Sequence, residues 1–371
     1  MAPKRPRGAG ALDDKTALSP APVPPRSSEL YAALDLGTNS CRMLIAQPRG
    51  NAFHIVDSFS KSVQLGAGLE KTGRLSRTSM SRTIQALRIC QQKLRRNKVR
   101  RMRLVATEAC RRAQNADAFI DRVQRETGLT LDIIKPQEEA QLAVVSCAPL
   151  VSRTTENLLV MDIGGGSTEL VWIDLSEVEP GDRPQSIMRL HSGFNAINGD
   201  FATARVVDWI SVPLGVATLR DQFNDVEDDA ARFALMSWFF EENLSDFAPY
   251  HDLQPHEKFQ IVGTSGTVTT VAASHLGLKR YDRTRVDGLH MTTEQVDRVI
   301  RSYLALGPAG RRADPRIGQD RHALIMSGAA ILQALMRCWP TDRLSVADRG
   351  LREGLLFAQM SADGVLDEGA D

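Results

Sequence analysis

Apolar and polar positions along the chain form a pattern that occurs twice. Leu30–Leu34 is a short apolar run, followed by the polar turn Asp35–Ser40 and a second apolar run, Met43–Ala46. This predicts strand, tight turn, strand, and Phe53–Phe59 alternates as a third strand. Ser79–Asn97 places Met80, Ile84, Leu87, Cys90 and Leu94 at three- and four-residue steps, which predicts an amphipathic helix. Met102–Thr107 reads as a buried strand. Asn115 is placed to cap a helix that ends near Gly128. Leu129–Ile134 reads as a strand, and Pro136 opens a helix running to about Cys147. After a polar joint at Thr154–Asn157 the pattern restarts: strand Leu158–Met161, turn Asp162–Ser167, strand Glu169–Ile173. Asp162 lies 127 residues after Asp35, so one supersecondary unit occurs twice. Further on come an acidic helical stretch around Gln222–Asp246, a strand Phe259–Val262, the turn Gly263–Thr267 and a helix from about Val268. A long helix, Gln319–Met336, and a last strand, Leu344–Val346, follow. Strands mixed with helices in two similar halves predict an α/β fold of two related domains, with any ligand between them.

The length of 371 residues agrees with two domains rather than one. The divisions expected are a tail at 1–28, a first domain at 29–135 and a second at 136–353, with a final helix at about 354–371 packing back on the first. Met1–Ser28 is rich in Pro, Ala, Arg and Lys and lacks an apolar core segment, so it reads as a disordered tail, not a signal peptide or anchor. No apolar run reaches the ~18 residues that span a bilayer, so no membrane is expected. The five cysteines are odd in number and widely spaced, which excludes a disulfide framework and a structural zinc site and suits a reducing cytoplasm. The seven histidines show no metal-ligand spacing. With a net charge of +1, bulk charge selects no partner. One local run, Lys93–Arg103, holds seven basic residues in eleven. It reads as a solvated helix end; the alternative is a track for a long polyanion. No aromatic residue interleaves it, which argues against specific nucleic-acid binding.

The two turns carry the chemistry. Glycine at the centre of a tight turn lets backbone N–H groups converge on one point, a geometry that binds anions and above all phosphate. Gly37 serves the first turn and Gly164, Gly165 and Gly166 the second. Thr38, Asn39, Ser40, Ser167 and Thr168 add side-chain donors. Asp35 and Asp162 beside such a cradle would repel phosphate unless a cation lay between, so they imply Mg²⁺. The Walker pattern is absent, and a strand, not the helix of a dinucleotide-binding turn, follows each loop. Glu138 and Glu139, in the first turn of a helix between the halves, are placed either to activate water or to complement the helix dipole.

The stretches ALDLGTNSCRMLIA, VATEACRRA, IIKPQEEAQL, LVMDIGGGSTELV, SVPLGVATL, VGTSGTVTTVAA and LSVADRGLREGLL resemble, in order, those of the exopolyphosphatase/guanosine pentaphosphate phosphohydrolase (Ppx/GppA) family. That family sits within the actin-like ATPase and sugar kinase superfamily. The resemblance spans residue 30 to about 357. It implies a ribonuclease H-like fold in each domain, an active site in the cleft between them, and Mg²⁺-dependent hydrolysis of terminal phosphate from inorganic polyphosphate, from pppGpp, or from both. It assigns the catalytic glutamate to Glu139 and a phosphate-contacting arginine to Arg111, with Arg112 a close competitor. Glu108 stands where the resemblance leads one to expect a small or neutral residue. Glu169 is a candidate magnesium ligand or an ordinary strand residue. Gly263–Thr267 matches the superfamily's adenosine loop, as scaffold or phosphate contact, and Asp348–Gly354 reads as packing for the final helix. Longer members carry a C-terminal HD-type domain, for which this chain is too short. A homodimer is expected from the resemblance alone. Two other functions fit the same scaffold: an ATP-dependent small-molecule kinase and a non-catalytic alarmone or nucleotide sensor.

Overall fold

The structure, a computed structural model, describes residues 29–194, 204–252, 258–318 and 321–366. The expected tail, Met1–Ser28, and the start of the helix expected from Gln319 lie outside the described residues.

Two sheets repeat one topology. The first half contains β1 (Tyr31–Leu36), β2 (Ser40–Arg49), β3 (Ala52–Ser62), β4 (Arg101–Ala106) and β5 (Asp132–Ile133), in the order β3-β2-β1-β4-β5. The second half contains β6 (Asn157–Ile163), β7 (Thr168–Asp174), β8 (Arg205–Val212), β9 (Phe259–Thr264), β10 (His290–Met291) and β11 (Leu344–Ala347). Its order is β10-β11-β9-β6-β7-β8, which is the first order again with β10 added at one edge. In both halves an antiparallel hairpin is followed by a parallel partner: β1 pairs with β2 and β4, and β6 with β7 and β9. The repeated turn therefore leaves the same edge of each sheet, as a two-domain ribonuclease H-like architecture requires.

The core residues follow the predicted faces. Ile84, Leu87, Cys90 and Leu94 of the helix Arg77–Arg96 are buried against the first sheet. The predicted strand Leu129–Ile134 contracts to Asp132–Ile133, because β4 offers it only Val105 and Ala106 before the chain turns at Thr107. Leu129 and Leu131 are buried without strand pairing. The helix Ala116–Thr127 begins after Asn115 and ends at a left-handed Gly128, as expected, but Asn115 does not cap it. Its side chain instead accepts from the Leu75 N–H at 2.8 Å and donates to the Leu75 carbonyl at 3.0 Å, tying down the segment before the long helix. The basic run occupies the end of Arg77–Arg96 and the start of β4, the end of that strand remote from Thr107. Lys93 there pairs with Asp57 at 2.7 Å and Arg103 with Glu138 at 2.5 Å.

Two helices join the halves. Pro136–Cys147 buries Ala140, Val144 and Cys147 against the second sheet. Leu351–Ala362 buries Leu351, Leu355, Leu356 and Met360 together with Tyr31, Ala33 and Val105 of the first sheet. Leu142 of the first helix belongs to that same cluster. The helices approach so closely that a Cβ on Gly354 would lie 2.1 Å from the Leu142 carbonyl oxygen. Backbone on both sides leaves no room for adjustment, so this contact sets the height of the helix that carries Glu139. Gly354→Ala is expected to lower stability by about 1–3 kcal/mol, the usual cost of overpacking a tight contact. Chemical denaturation monitored by circular dichroism checks this; an unshifted midpoint would mean that the helices can separate freely.

Candidate active site

Both turns close in the same way. The Gly37 N–H donates to the Ser40 carbonyl at 3.0 Å, and the Gly164 N–H to the Ser167 carbonyl at 2.9 Å. Thr38 and Asn39, like Gly165 and Gly166, keep their own N–H groups out of these turn bonds. Strand register places Asp35 opposite Arg42 and Asp162 opposite Glu169. Arg42 and Glu169 are thus the same position of the repeat, with the charge inverted.

The two turns touch across the cleft. A Cβ on Gly166 would fall 2.3 Å from Thr38 Oγ1 and 3.0 Å from Glu108 Cγ, and one on Gly165 3.1 Å from the Asn39 nitrogen. Glycine is required here because a backbone from one half lies against a backbone and a side chain from the other. A third segment clamps the second turn from behind. The Val216 N–H donates to the Gly164 carbonyl at 3.0 Å and the Ala217 N–H to the Gly165 carbonyl at 2.8 Å. Gly215 sits so close that its Cβ would lie 2.5 Å from the Gly164 oxygen. The SVPLG stretch therefore acts as a brace that aims the second turn. Thr38 Oγ1 is buried and makes no hydrogen bond, which leaves a hydroxyl available to an incoming oxygen anion.

Glu139 enters the cleft from the first turn of Pro136–Cys147 and is buried. Arg111 Nη1 donates to Glu139 Oε2 at 2.7 Å and to the Ile134 carbonyl at 3.1 Å. Its Nε and Nη2 both donate to Glu108 Oε2, at 3.1 and 2.9 Å. The guanidinium is occupied by protein acceptors and does not line the cavity. In this arrangement Arg111 holds the Glu139 carboxylate. Arg112 turns away to Glu70 at 2.7 Å. Glu138 faces Arg103 outside the cleft. Burial, and then the nearby Glu169, push the Glu139 carboxyl well above the usual carboxylate range, with Arg111 opposing the shift.

The remaining expected residues divide. Gly37, Thr38, Asn39, Ser40, Gly164, Gly165, Gly166 and Ser167 line one cavity together with Asp35, Asp162 and Glu139. Thr168 does not, because its hydroxyl is spent on the Leu214 carbonyl at 2.7 Å. Glu169 also lies behind the wall. Its Oε1 accepts from Ser167 Oγ at 2.6 Å and Ser211 Oγ at 2.9 Å, while its Oε2 is buried without a partner. These contacts make it a holder of Ser167. Sequence reasoning passed over Arg42, Arg321 and Arg352, which line the same cavity. The signal for Arg42 was present, since the repeat aligns it with Glu169. Thr264–Thr267 line the cavity as well, and Arg321 Nη1 donates to the Gly266 carbonyl at 3.0 Å.

Residues 44–362 match the Ppx/GppA phosphatase family. The chain belongs to this family. It is 29% identical over 331 residues to a guanosine-5'-triphosphate,3'-diphosphate pyrophosphatase of Aeromonas salmonicida, a match covering 89% of this chain and 59% of that protein. The chain therefore spans somewhat over half the length of the curated relatives it matches. The crystal structure of the Aquifex aeolicus family member superposes with a TM-score of 0.70 at 28% identity, covering 90% of this chain and 98% of that one. An exopolyphosphatase from Cytophaga hutchinsonii shares the fold, with a TM-score of 0.75 at 21% identity over 91% of this chain and all of that one. Among the described residues no helix is long and apolar enough to cross a membrane.

The Ppx/GppA cleft fits a hydrated cation better than a closed metal cage. Among the described residues no three His, Cys, Asp or Glu side chains gather as a ligand cluster. Mg²⁺ commonly takes one or two carboxylates, several waters and substrate phosphate. Asp35 and Asp162, both facing the cavity, match that donor set, and the unpartnered Thr38 hydroxyl suits a phosphate or a metal-bound water. Burial, then Glu139 and Asp35, push Asp162 up to about 8, and burial, then Asp162, pushes Glu169 to about 7. Folding therefore favours their protonated forms over the ordinary values of 3.8 and 4.5. The associated stability is present at low pH and lost as pH rises through the folded-state values. Metal-free protein is expected to show a falling melting temperature from about pH 5 to about pH 9, with Mg²⁺ restoring it at the alkaline end. A melting temperature that climbs with pH without Mg²⁺ would contradict this electrostatic picture.

Proposed function

We propose that this protein hydrolyses the terminal phosphate of a phosphoanhydride chain, either inorganic polyphosphate or pppGpp, the latter to ppGpp, with Mg²⁺ as cofactor. The observation that carries this reading is the meeting of two phosphate turns beside a buried, arginine-held carboxylate. The N–H groups of Thr38, Asn39, Gly165 and Gly166, with the Thr38 and Ser40 hydroxyls, bind the terminal phosphoryl oxygens, while the Ser167 hydroxyl stays on Glu169. Glu139 accepts a proton from water as the water oxygen forms its bond to phosphorus and the bridging P–O bond breaks in line. Arg111 keeps the Glu139 carboxylate aimed into the cleft, and Glu108 keeps Arg111 in place. Mg²⁺ at Asp35 and Asp162 would offset the charge of the phosphate and of both carboxylates. Arg42, Arg321 and Arg352 take up charge on the departing chain. Phosphoryl transfer needs positioning and charge stabilisation above all, and this inventory supplies both.

The similarity to the Aeromonas guanosine-5'-triphosphate,3'-diphosphate pyrophosphatase supports pppGpp; polyphosphate rests on the family resemblance. Five buried free cysteines support a reducing cytoplasm; a homodimer rests on the family resemblance. Glu139→Gln is expected to preserve folding and to reduce phosphate release from both substrates by at least about 10²-fold in the presence of Mg²⁺. The check is phosphate release at matched terminal-phosphate concentrations; near-unaltered turnover would remove Glu139 from the base role.

A further inference from the structure

Ser167 lines the cavity, yet its proton is directed to a carboxylate behind the wall. A serine hydroxyl carries one proton and two lone pairs. The Ser167 hydroxyl donates to Glu169 Oε1 at 2.6 Å, and the Ser211 hydroxyl donates to the same oxygen at 2.9 Å. The other carboxyl oxygen, Glu169 Oε2, is buried without a partner. A proton taken up by Glu169 therefore resides on Oε2, and Oε1 accepts from both hydroxyls whether the group is ionised or neutral. The backbone of Ser167 is fixed as well. Its carbonyl accepts from the Gly164 N–H at 2.9 Å, and the next residue, Thr168, opens β7 opposite Ile163. Toward the cavity Ser167 Oγ thus offers lone pairs and no proton. Thr38 differs in this respect, since its Oγ1 makes no hydrogen bond.

Two observations put Glu139 beside this serine. Arg111 bridges Glu139 Oε2 at 2.7 Å and Glu108 Oε2 at 2.9 Å. The Glu108 side chain lies against Gly166, the neighbour of Ser167, with Cγ 3.0 Å from where a Cβ would stand. Independently, Glu169 is the strongest influence on the Glu139 carboxyl after burial itself. The arginine engages Glu139 Oε2, and Oε1 takes no hydrogen bond among the described residues. Glu139 Oε1 and Ser167 Oγ are therefore two open acceptors in one part of the cavity.

Attack on phosphorus requires a water whose lone pair faces the phosphorus and whose two hydrogens are turned away and held. Glu139 takes one hydrogen. The N–H groups of the turns are donors and cannot hold the other, and on the reading above Asp35 and Asp162 are committed to the cation. We propose that Ser167 Oγ is the second acceptor, so that this serine orients the attacking water instead of binding the phosphate, with Glu169 fixing the direction of its proton. The inference rests on the hydrolase reading. In the step itself the water oxygen bonds to phosphorus as its first hydrogen passes to Glu139. The bridging P–O bond breaks and its electron pair leaves with the shortened chain. The second hydrogen stays on the oxygen and departs as the hydroxyl of inorganic phosphate.

The test separates rate from affinity. With Mg²⁺ and long-chain polyphosphate, Ser167→Ala should lower kcat at least about tenfold, the loss of one directed hydrogen bond in the transition state. Ser167→Cys, close in size but with a weakly accepting sulfur, should show a similar loss, which sets a packing effect aside. Affinity is read by titration calorimetry in the Glu139→Gln protein, where adding Ser167→Ala should leave Kd for the same chain within about twofold. Ser211→Ala removes the other hydroxyl from the same Glu169 oxygen and lies outside the cavity lining; it should keep kcat within about threefold. The Mg²⁺ concentration giving half the maximal rate should be the same for Ser167→Ala as for the unaltered protein. An unaltered kcat in Ser167→Ala overturns the proposal. So does a Kd that weakens as much as the rate, which would make the serine a phosphate donor, or a raised Mg²⁺ requirement, which would make it a metal ligand. An unaltered protein that releases phosphate from neither polyphosphate nor pppGpp removes the hydrolase reading and this role with it. An active protein that tolerates Ser167→Ala removes the role alone.

Discussion

The constraint on which the rest depends is the backbone contact between the two glycine turns. Gly165 and Gly166 approach Thr38 and Asn39 so closely that no side chain fits between them. Two anion-binding turns in contact can address one phosphoryl group from opposite sides. The same contact draws Asp35 and Asp162 into one cavity, where desolvation drives both carboxyl groups toward their protonated forms. An arrangement that costs so much charge desolvation is stable in isolation only if protons or a cation offset it. On the proposed function, the cation and the phosphate would answer to one property of the closed cleft.

Several features far from the turns serve that contact. The brace from Gly215 to Ala217 fixes the second turn through its carbonyls, and the first is held from behind by the Gly66 N–H on the Thr38 carbonyl at 3.0 Å. The helix Pro136–Cys147 is wedged between the halves by Gly354, and its first turn delivers Glu139. Arg111 links that carboxylate to Glu108, whose side chain lies against Gly166. Glu139, Arg111, Glu108 and both turns thus form one connected unit, and a shift in the closure of the halves would misplace all of them together.

The repeated turn, its aspartates and the helix bearing Glu139 were legible in the sequence because each has a local signature: glycine spacing, apolar runs on either side, and proline at a helix start. The doubled sheet followed from that repeat. What was not legible depends on distance in space. Nothing local to Arg111 says that Glu108, Ile134 and Glu139 will engage its donors, so its hold on Glu139 emerges only from the fold. Thr168 looked like a donor until strand pairing brought the Leu214 carbonyl beside it. Glu169 has the register expected of a residue facing Ser167, yet that very proximity spends its oxygen on the hydroxyl. Arg321 and Arg352 reach the cavity from elements more than 150 residues beyond either turn of the first pair, a convergence no spacing rule anticipates. The short β5 has a similar cause, since β4 ends where the site begins.

The central claim is that both turns grip the same phosphate. The most direct measurement is a crystal structure of the Glu139→Gln protein grown with Mg²⁺ and long-chain polyphosphate. The terminal phosphate should lie within hydrogen-bonding distance, about 2.7–3.2 Å, of N–H groups from both the Gly37–Asn39 and the Gly164–Gly166 turns. A terminal phosphate held by one turn alone, or bound elsewhere with the two turns still in contact, would contradict the account.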